Sequence, residues 1–259
     1  MRIKPKQSLG QNFLIDRNVA RKIVVVADFS KDDVVVEIGA GQGVLTRLLA
    51  ARVKQLIAVE IDRYLAARLQ DDLLEFDNVD IVHKDFLKYD LASVAATSPL
   101  RIIGNIPYHI TSPIIFKVLE SAAKIRDMVL MMQREVAERI VAPPDCKAYG
   151  ILSVISQAYA DVKILLHIPR TVFQPQPKVD SSLVRWTFTS QRLDTMRDRE
   201  FFRQVVRRAF GQRRKMLRNS LSDYVDCHRD SLPVALENRP EHLTVKQWID
   251  LANALCSVK

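Results

Sequence analysis

The sequence predicts an α/β fold: a doubly wound, largely parallel sheet with a small all-helical domain after it. Three observations carry that expectation. Short runs of β-branched residues alternate with helical patterns from about residue 30 to 142. A glycine cluster, "GAGQG", closes the first of those runs. From about Thr195 onward, strand patterns give way to helical ones.

The elements follow in order. "DVVVEI" (33–38) reads as a buried strand and Val44 to Arg52 as the helix after it. "LIAVEI" (56–61) and "RYLAARLQDDL" (63–73) repeat that pair, and "VDIVHKD" (79–85) is a third strand. "RIIGNI" (101–106) is a fourth. Thr111 or Ser112 is placed to cap the next helix, which runs through Leu119 with Pro113 in its first turn. "DMVLMMQ" (127–133) is a fifth strand, and "REVAERIV" a helix stopped by Pro143 and Pro144. "GILSVISQAYA" is helical. "DVKILLHI" (161–168) and "SSLVRWTF" (181–188) are strands joined by a proline-rich loop, which suggests an antiparallel addition at the sheet edge. Helices are expected over 198–210, 213–222 and 244–256, the last capped by Thr244. The expected domains are 1–190, carrying the sheet, and 191–259, helical and basic. No internal repeat is visible.

The chain has 259 residues, 48% of them hydrophobic and 27% charged, enough for a substantial core. No apolar run approaches the roughly 18 residues that a membrane span needs. The opening "MRIKPKQSLGQNFLIDRN" is basic but lacks an apolar core segment, so no secretory signal is expected. Three scattered cysteines (Cys146, Cys227, Cys256) and five scattered histidines show no C-x-x-C pair and no metal-ligand spacing. A cytoplasmic protein with reduced thiols and no metal is expected.

The net charge is +9 and unevenly placed. Arg197 to Arg218 carries nine Arg or Lys against two acids, Asp198 and Glu200. Met1 to Lys22 carries six against Asp16 alone. Concentrated positive charge favours a polyanion partner, because each neutralised phosphate releases counterions. A pair of solvated basic helices is the competing reading. On the first reading Arg207, Arg208, Arg213, Arg214, Lys215 and Arg218 contact RNA phosphates, giving affinity and orientation without reading sequence. Phe201, Phe202, Val205 and Phe210 are expected to pack the helical domain.

In "VVVEIGAGQGVLT" the glycines Gly39, Gly41 and Gly43 lie between strand and helix. They permit positive φ and close approach of the backbone to a ligand. Glu60 ends the next strand, where a carboxylate can accept both hydroxyls of a ribose. Asp85 follows the third strand and can accept from an adenine amino group. The loop offers no Lys or Arg before Arg47 for a phosphate, and Glu37 precedes the first glycine. An acid there suits a cationic amino acid, so the loop fits S-adenosylmethionine better than a dinucleotide. An ordinary buried turn with surface acids would explain each piece singly, but not three loops in register.

Asn105 falls at the carboxyl end of the fourth strand, the edge where open α/β sheets bind ligands. Its carboxamide oxygen can accept from an exocyclic NH2. Pro107 pushes Ile106 to an extended conformation, so the Ile106 carbonyl can point at the same group. Tyr108 offers a face for a base, a contact worth about 1–3 kcal/mol. Such a base must lie outside a helical stack. By itself the tetrapeptide is equally a strand-ending turn.

The glycine loop, the acids, "NIPY", "QNFL" (11–14) and "FQPQPKVDSS" (173–182) stand in the order seen in the rRNA adenine N6-dimethyltransferases. The chain resembles that family over essentially its whole length. "TSPIIFKVLE", "MMQREVAERI", "YGILSV" and "RRAFGQRRKMLRNSL" (207–221) are most similar to one branch. That branch dimethylates two adjacent adenosines in the 3′-terminal hairpin of 16S, small-subunit rRNA. The macrolide-resistance branch, which modifies 23S rRNA, shares "NIPY". The resemblance implies a Rossmann-like class I S-adenosylmethionine-dependent methyltransferase sheet. It also implies S-adenosylmethionine as cofactor, S-adenosylhomocysteine as product, and an assembling 30S particle as partner of a monomeric enzyme. Asn12 and Leu14 would line the cofactor site, Gly39 would meet the methionine portion, Glu60 the ribose and Asp85 the adenine. Asn105 would hold the target amino group and border the cofactor. Tyr108 and Phe173 would stack on the two faces of the target adenine. Ala40 stands where relatives often carry proline. A binding-only relative, such as an assembly or transcription factor, would be expected to have a degraded glycine loop or to lack Asn105, and this sequence retains both.

Overall fold

The computed structural model describes residues 5–6, 9–94, 99–225 and 232–256; Arg2, Lys4 and Cys227 lie outside them. In chain order the elements begin with β1 (Phe13–Leu14), α1 (Arg17–Ala27), β2 (Val34–Ile38), α2 (Val44–Ala50), β3 (Gln55–Glu60), α3 (Arg63–Asp72) and β4 (Val79–His83). Then come α4 (Leu91–Val94), β5 (Leu100–Asn105), α5 (Thr111–Glu120), β6 (Ile125–Gln133), α6 (Arg134–Ile140), α7 (Ile151–Tyr159) and β7 (Ala160–Ile168). The last are β8 (Phe173–Gln174), β9 (Ser181–Phe188), α8 (Ser190–Leu193), α9 (Arg199–Gly211), α10 (Leu217–Ser220), α11 (Ser222–Val225) and α12 (Val245–Cys256).

Seven strands form one sheet in the order β4-β3-β2-β5-β6-β9-β7. The first five are parallel, and β9 runs antiparallel to β6. Every residue of β2 is buried, as a parallel strand covered on both faces requires. The antiparallel addition expected at the edge is present, with β9 inserted between β6 and the outermost β7. Chain order reverses on either side of β2, which has β3 and β5 as neighbours, so the topological switch point lies between β2 and β5. Gly104 lets the two strands approach there: a Cβ on it would stand 2.9 Å from the Ile38 carbonyl oxygen.

Helix α1 was not among the expected elements. Asp16 caps it, its Oδ1 accepting from the Asn18 and Val19 N–H groups at 2.8 and 3.0 Å. Ala20, Ile23, Val24 and Ala27 repeat at helical spacing and are buried in one core cluster with Leu45, Leu49 and Leu183. The expected cap of α5 is also corrected. A 3-10 turn, Tyr108–Ile110, runs straight into the helix, so Thr111 is its first residue and Ile110 takes the cap position. The Thr111 hydroxyl is buried without a hydrogen-bond partner.

At the amino ends of the strands lies a buried ion cluster. Arg101, 3% exposed, uses all five of its N–H donors. Nε and Nη2 meet the Asp127 carboxylate at 2.7 and 2.6 Å. Nη1 meets Asp33 Oδ2 and the Asp28 carbonyl, both at 2.7 Å, and Nη2 also donates to the Ala27 carbonyl at 2.9 Å. The guanidinium lies 4.4 Å from the centre of the Phe29 ring. Arg185 donates to the Val26 and Ala27 carbonyls, so two cations close the carboxyl end of α1. Burial by itself would raise the Asp33 carboxyl, but the Ser30 N–H and Arg101 outweigh it and hold the pKa below its ordinary value. Its contribution to stability is therefore present above the unfolded carboxylate pKa and lost as pH falls through the folded one.

The chain divides into two compact units, Met1–Ala137 with Lys163–Thr187, and Glu138–Val162 with Phe188–Lys259. The expected boundary near 190 falls beside Phe188. Residues 138–162, expected with the sheet, group instead with the C-terminal helices, because α7 packs on α9 and α12. Phe201, Phe202 and Val205 are buried there, and Phe210 sits against Tyr149 and Trp248, with ring centroids 6.2 and 5.7 Å away. Thr244 caps α12 as expected: its Oγ1 accepts from the Gln247 N–H, and Gln247 Oε1 accepts from the Thr244 N–H. The single helix expected over 213–222 is broken. The N–H groups of Leu217 and Arg218 donate to the carbonyls of Asn238 and Leu236 instead of continuing a helix, leaving short α10 and α11.

Replacing Arg101 by Met takes the closest cation from two buried carboxylates, leaving Asp33 with Arg126 at 3.4 Å and Asp127 with Arg185 at 3.7 Å, and should lower the unfolding free energy by about 3–5 kcal/mol. Urea denaturation checks this; a loss under about 1 kcal/mol would show that the cluster is not a main prop of the fold.

Candidate active site

A cavity opens at the carboxyl ends of the parallel strands. Its walls come from the segment Leu9 to Leu14, the glycine turn after β2, the ends of β3 and β5, and the loop after β4. Asn12, Leu14, Glu37, Gly39, Gly41, Glu60, Asp85, Asn105, Ile106, Pro107 and Tyr108 all line it. The sequence-expected cofactor residues are thus brought together by the fold.

The glycine turn is held by Glu60. Gly41 has φ 58°, and its N–H donates to Glu60 Oε2 at 2.8 Å. The Asp62 N–H donates to Glu60 Oε1, also at 2.8 Å. An L side chain at Gly41 would be strained and would meet the Phe13 ring at 3.2 Å. A carboxylate has about four acceptor sites, so Glu60 keeps capacity for a further donor after these bonds. Burial raises the Glu60 pKa above its ordinary value, against the pull of the Asp62, Gly41 and Ile61 N–H groups.

Glu37 is 2% exposed, and its Oε2 has no hydrogen-bond partner. Burial, with the Glu60 charge nearby, pushes its carboxyl up to about 7. Asp85 is half-buried; its Oδ1 accepts from the Leu87 N–H at 2.9 Å. Among the described residues the lining holds three carboxylates and a single cationic side chain, Lys84. A buried carboxyl with one bare oxygen, beside two further carboxylates, favours a cationic ligand over a pyrophosphate. These residues fit S-adenosylmethionine. Among the described residues no group of three or more His, Cys, Asp or Glu could hold a metal ion, and no helix is long and apolar enough to cross a membrane.

At the far side of the cavity, Asn105 ends β5. Its Nδ2 donates to the Asn12 carbonyl at 3.0 Å. That bond assigns the amide: Oδ1 is left as the acceptor. Pro107 has φ −60° and ψ 134°, and its carbonyl accepts from the Ile110 N–H. The Tyr108 hydroxyl lies 2.9 Å from Ser181 Oγ, and Ser181 is fully buried. Burial raises the Tyr108 pKa, so the phenol stays neutral and its ring is tethered at one end. Sequence reasoning missed Ser181 in this role; nothing in "DSS" distinguishes a tether from a strand start.

Phe173 is placed differently from expectation. It is 3% exposed, sits in the core cluster, pairs with Leu14 across β1 and β8, and does not line the cavity. In the second unit, Arg207, Arg208, Arg214, Lys215 and Arg218 are exposed. Arg208 pairs with Asp223 at 2.7 Å. Arg213 is committed: its Nε meets Glu241 at 2.5 Å, and its other nitrogens donate to the carbonyls of Lys147 and Cys146.

The parallel strands, the antiparallel β9 beside them and the acidic cavity at the switch point define a class I S-adenosylmethionine-dependent methyltransferase fold. Two solved structures share it. One is a dimethyladenosine transferase from Plasmodium falciparum (TM-score 0.79, 24% identity, covering 92% of this chain and 95% of that one). The other is the 23S rRNA methyltransferase ErmE (TM-score 0.72, 28% identity, covering 95% and 100%). The chain belongs to the ribosomal RNA adenine dimethylase family, whose model matches residues 2–256. It is 43% identical to the ribosomal RNA small subunit methyltransferase A of Geobacillus thermodenitrificans, over 96% of this chain and 90% of that protein. It is 42% identical to the protein of the same name from Francisella tularensis, over 97% and 98%.

Glu37 gives a test with a definite sign. With a pKa of about 7, it is largely protonated at about pH 6, and a cationic ligand draws the ionised form. Binding of S-adenosylmethionine at about pH 6 should therefore release a proton, and affinity should rise towards about pH 7. Calorimetry in buffers of different ionisation enthalpy measures the release. Glu37→Gln should abolish it; release unchanged in that variant would assign the proton to another group.

Proposed function

We propose that this protein transfers methyl groups from S-adenosylmethionine to the N6 amino groups of two adjacent adenosines in the 3′-terminal hairpin of 16S rRNA. The substrate on this reading is an assembling 30S particle in the cytoplasm. Asn105 is the observation that supports the reading most. With Nδ2 taken by the Asn12 carbonyl, its Oδ1 stands as an acceptor beside an acidic cavity.

The cofactor, when bound, supplies an electrophilic methyl group on a sulfonium. Glu37 meets its positive charge, Glu60 takes ribose hydroxyls, and Asp85 accepts from the adenine amino group. Asn105 Oδ1 and the Ile106 carbonyl accept the two N–H bonds of the target amino group. Two acceptors draw the nitrogen lone pair out of conjugation with the ring. No residue has to remove a proton first, because the nitrogen becomes acidic only as it gains positive charge. Tyr108, tethered to Ser181, offers its ring to a base that is flipped out or already single-stranded. Phe173 can take the opposite face only if it leaves the core.

Small-subunit specificity is favoured over the 23S reading by identity, 43% to the small-subunit relative against 28% to ErmE. In the second unit, Arg214, Lys215 and Arg218 carry the phosphate contacts, supported by Arg207 and Arg208. Arg213 shapes the loop that presents them and is not itself a phosphate ligand.

Tritiated methyl transfer to undermethylated 30S particles, 50S particles and naked rRNA, followed by nucleoside analysis, tests the reaction. N6,N6-dimethyladenosine from 30S particles alone is expected. Labelling of 50S particles would overturn the assignment. Asn105→Ala should lower transfer roughly a hundred- to a thousand-fold while leaving cofactor binding measurable; full activity would remove Asn105 from the mechanism. Replacing Arg214, Lys215 and Arg218 together by Ala should reduce the slope of log K against log salt by about 2–3. An unaltered slope would mean that these side chains meet no phosphate.

A further inference from the structure

Resting on the reading of the cavity as an S-adenosylmethionine site, we infer that Asp62, with Lys6, is a positioning pair that pins the N-terminal arm shut over the bound cofactor.

Asp62 does not line the cavity, yet its side chain is only 4% exposed. One oxygen, Oδ1, does the ordinary work of a helix cap, accepting from the Tyr64 N–H at 3.0 Å. A cap needs no more than that. The other oxygen holds two groups of the arm: Lys6 Nζ at 2.8 Å and Gln11 Nε2 at 3.4 Å. The Lys6 N–H in turn donates to Gln11 Oε1 at 2.8 Å. The Asp62 N–H goes to Glu60, the ribose acceptor. One residue thus joins the arm to the group that meets the cofactor.

Gln11, Asn12, Phe13 and Leu14 form one wall of the cavity. Among the described residues the arm is fastened at three places. At its carboxyl end, β1 pairs with β8 and the Ile15 N–H donates to the Val172 carbonyl, with Phe13 and Leu14 buried. In the middle, the Asn12 carbonyl takes the Asn105 amide. At its amino end, the fastening is the Lys6–Asp62 pair, whose lysine is 54% exposed. A backbone-paired, buried end opens at greater cost than a half-exposed ion pair. Exchange of cofactor for product therefore proceeds by opening at Asp62. Because the same arm supplies the carbonyl that orients Asn105, closure also sets the acceptor that faces the substrate.

The test uses release of S-adenosylhomocysteine, followed by stopped-flow displacement without RNA. Lys6→Met removes the charge and keeps the length. Asp62→Asn keeps the helix cap, since Asn caps as well as Asp. Each variant should release the ligand about fivefold faster than wild type, and the double variant no faster than either. Release from wild type should quicken with salt, and release from the variants should not. A wild-type protein that binds the ligand while both variants release it at the wild-type rate would overturn the latch alone. A wild-type protein that binds no S-adenosylhomocysteine would overturn the cofactor reading and the latch with it. Lys6→Met changes only an exposed side chain, so it reports even if Asp62→Asn folds poorly.

Discussion

The guanidinium of Arg101 is the constraint from which the rest follows. It sits where β2, β5 and β6 begin, and it joins Asp33, Asp127 and the carboxyl end of α1. Three charges taken out of water are costly unless every donor finds an acceptor, and here all five of the guanidinium's do. Any slip of β5 against its neighbours would part a buried charge from its partners, so the cluster holds register as well as stability. With the amino ends of the strands fixed in register, their carboxyl ends arrive together at the switch point. The Gly39–Gly43 turn, Glu60 and Asn105 then share one cavity with no further adjustment.

The site is built on the opposite principle. Where Arg101 is saturated, Glu37 is left wanting, buried with a bare oxygen. Glu60 has structural duties to Gly41 and Asp62 but retains capacity for more. A protein carries such a deficit at a ligand site because the ligand completes it. The amide of Asn105 is treated differently again. Asn105 has its Nδ2 fixed by the Asn12 carbonyl, which leaves Oδ1 as the acceptor before any substrate arrives. Preorganisation of this kind means the reaction does not have to turn a dipole as charge develops.

The parallel part of the fold was legible because each strand is a nearly unbroken apolar run that ends at a glycine, an acid or an amide. "VVVEIGAG" and "RIIGNIPY" announce both their burial and the edge at which they stop. Features set by distant partners were not legible. Asp16 and the helical spacing of Ala20, Ile23, Val24 and Ala27 stand in plain view, but the basic residues around them point first to a polyanion partner. Arg213 looked like a phosphate ligand because its partner, Glu241, lies 28 residues away. Phe173 looked like a stacking ring, and its pairing opposite Leu14 is a long-range fact. Residues 138–162 belong with the C-terminal helices because of what α7 packs against, which no local pattern encodes.

The account stands on the orientation of one amide beside a cofactor that completes an acidic cavity. A crystal structure with S-adenosylhomocysteine and adenosine bound tests that most directly. Glu60 should accept the ribose hydroxyls, Asn105 Nδ2 should remain on the Asn12 carbonyl, and the adenosine amino nitrogen should lie about 3 Å from Asn105 Oδ1. An Asn105 amide turned away from the base, or a cofactor whose ribose lies clear of Glu60, would contradict it.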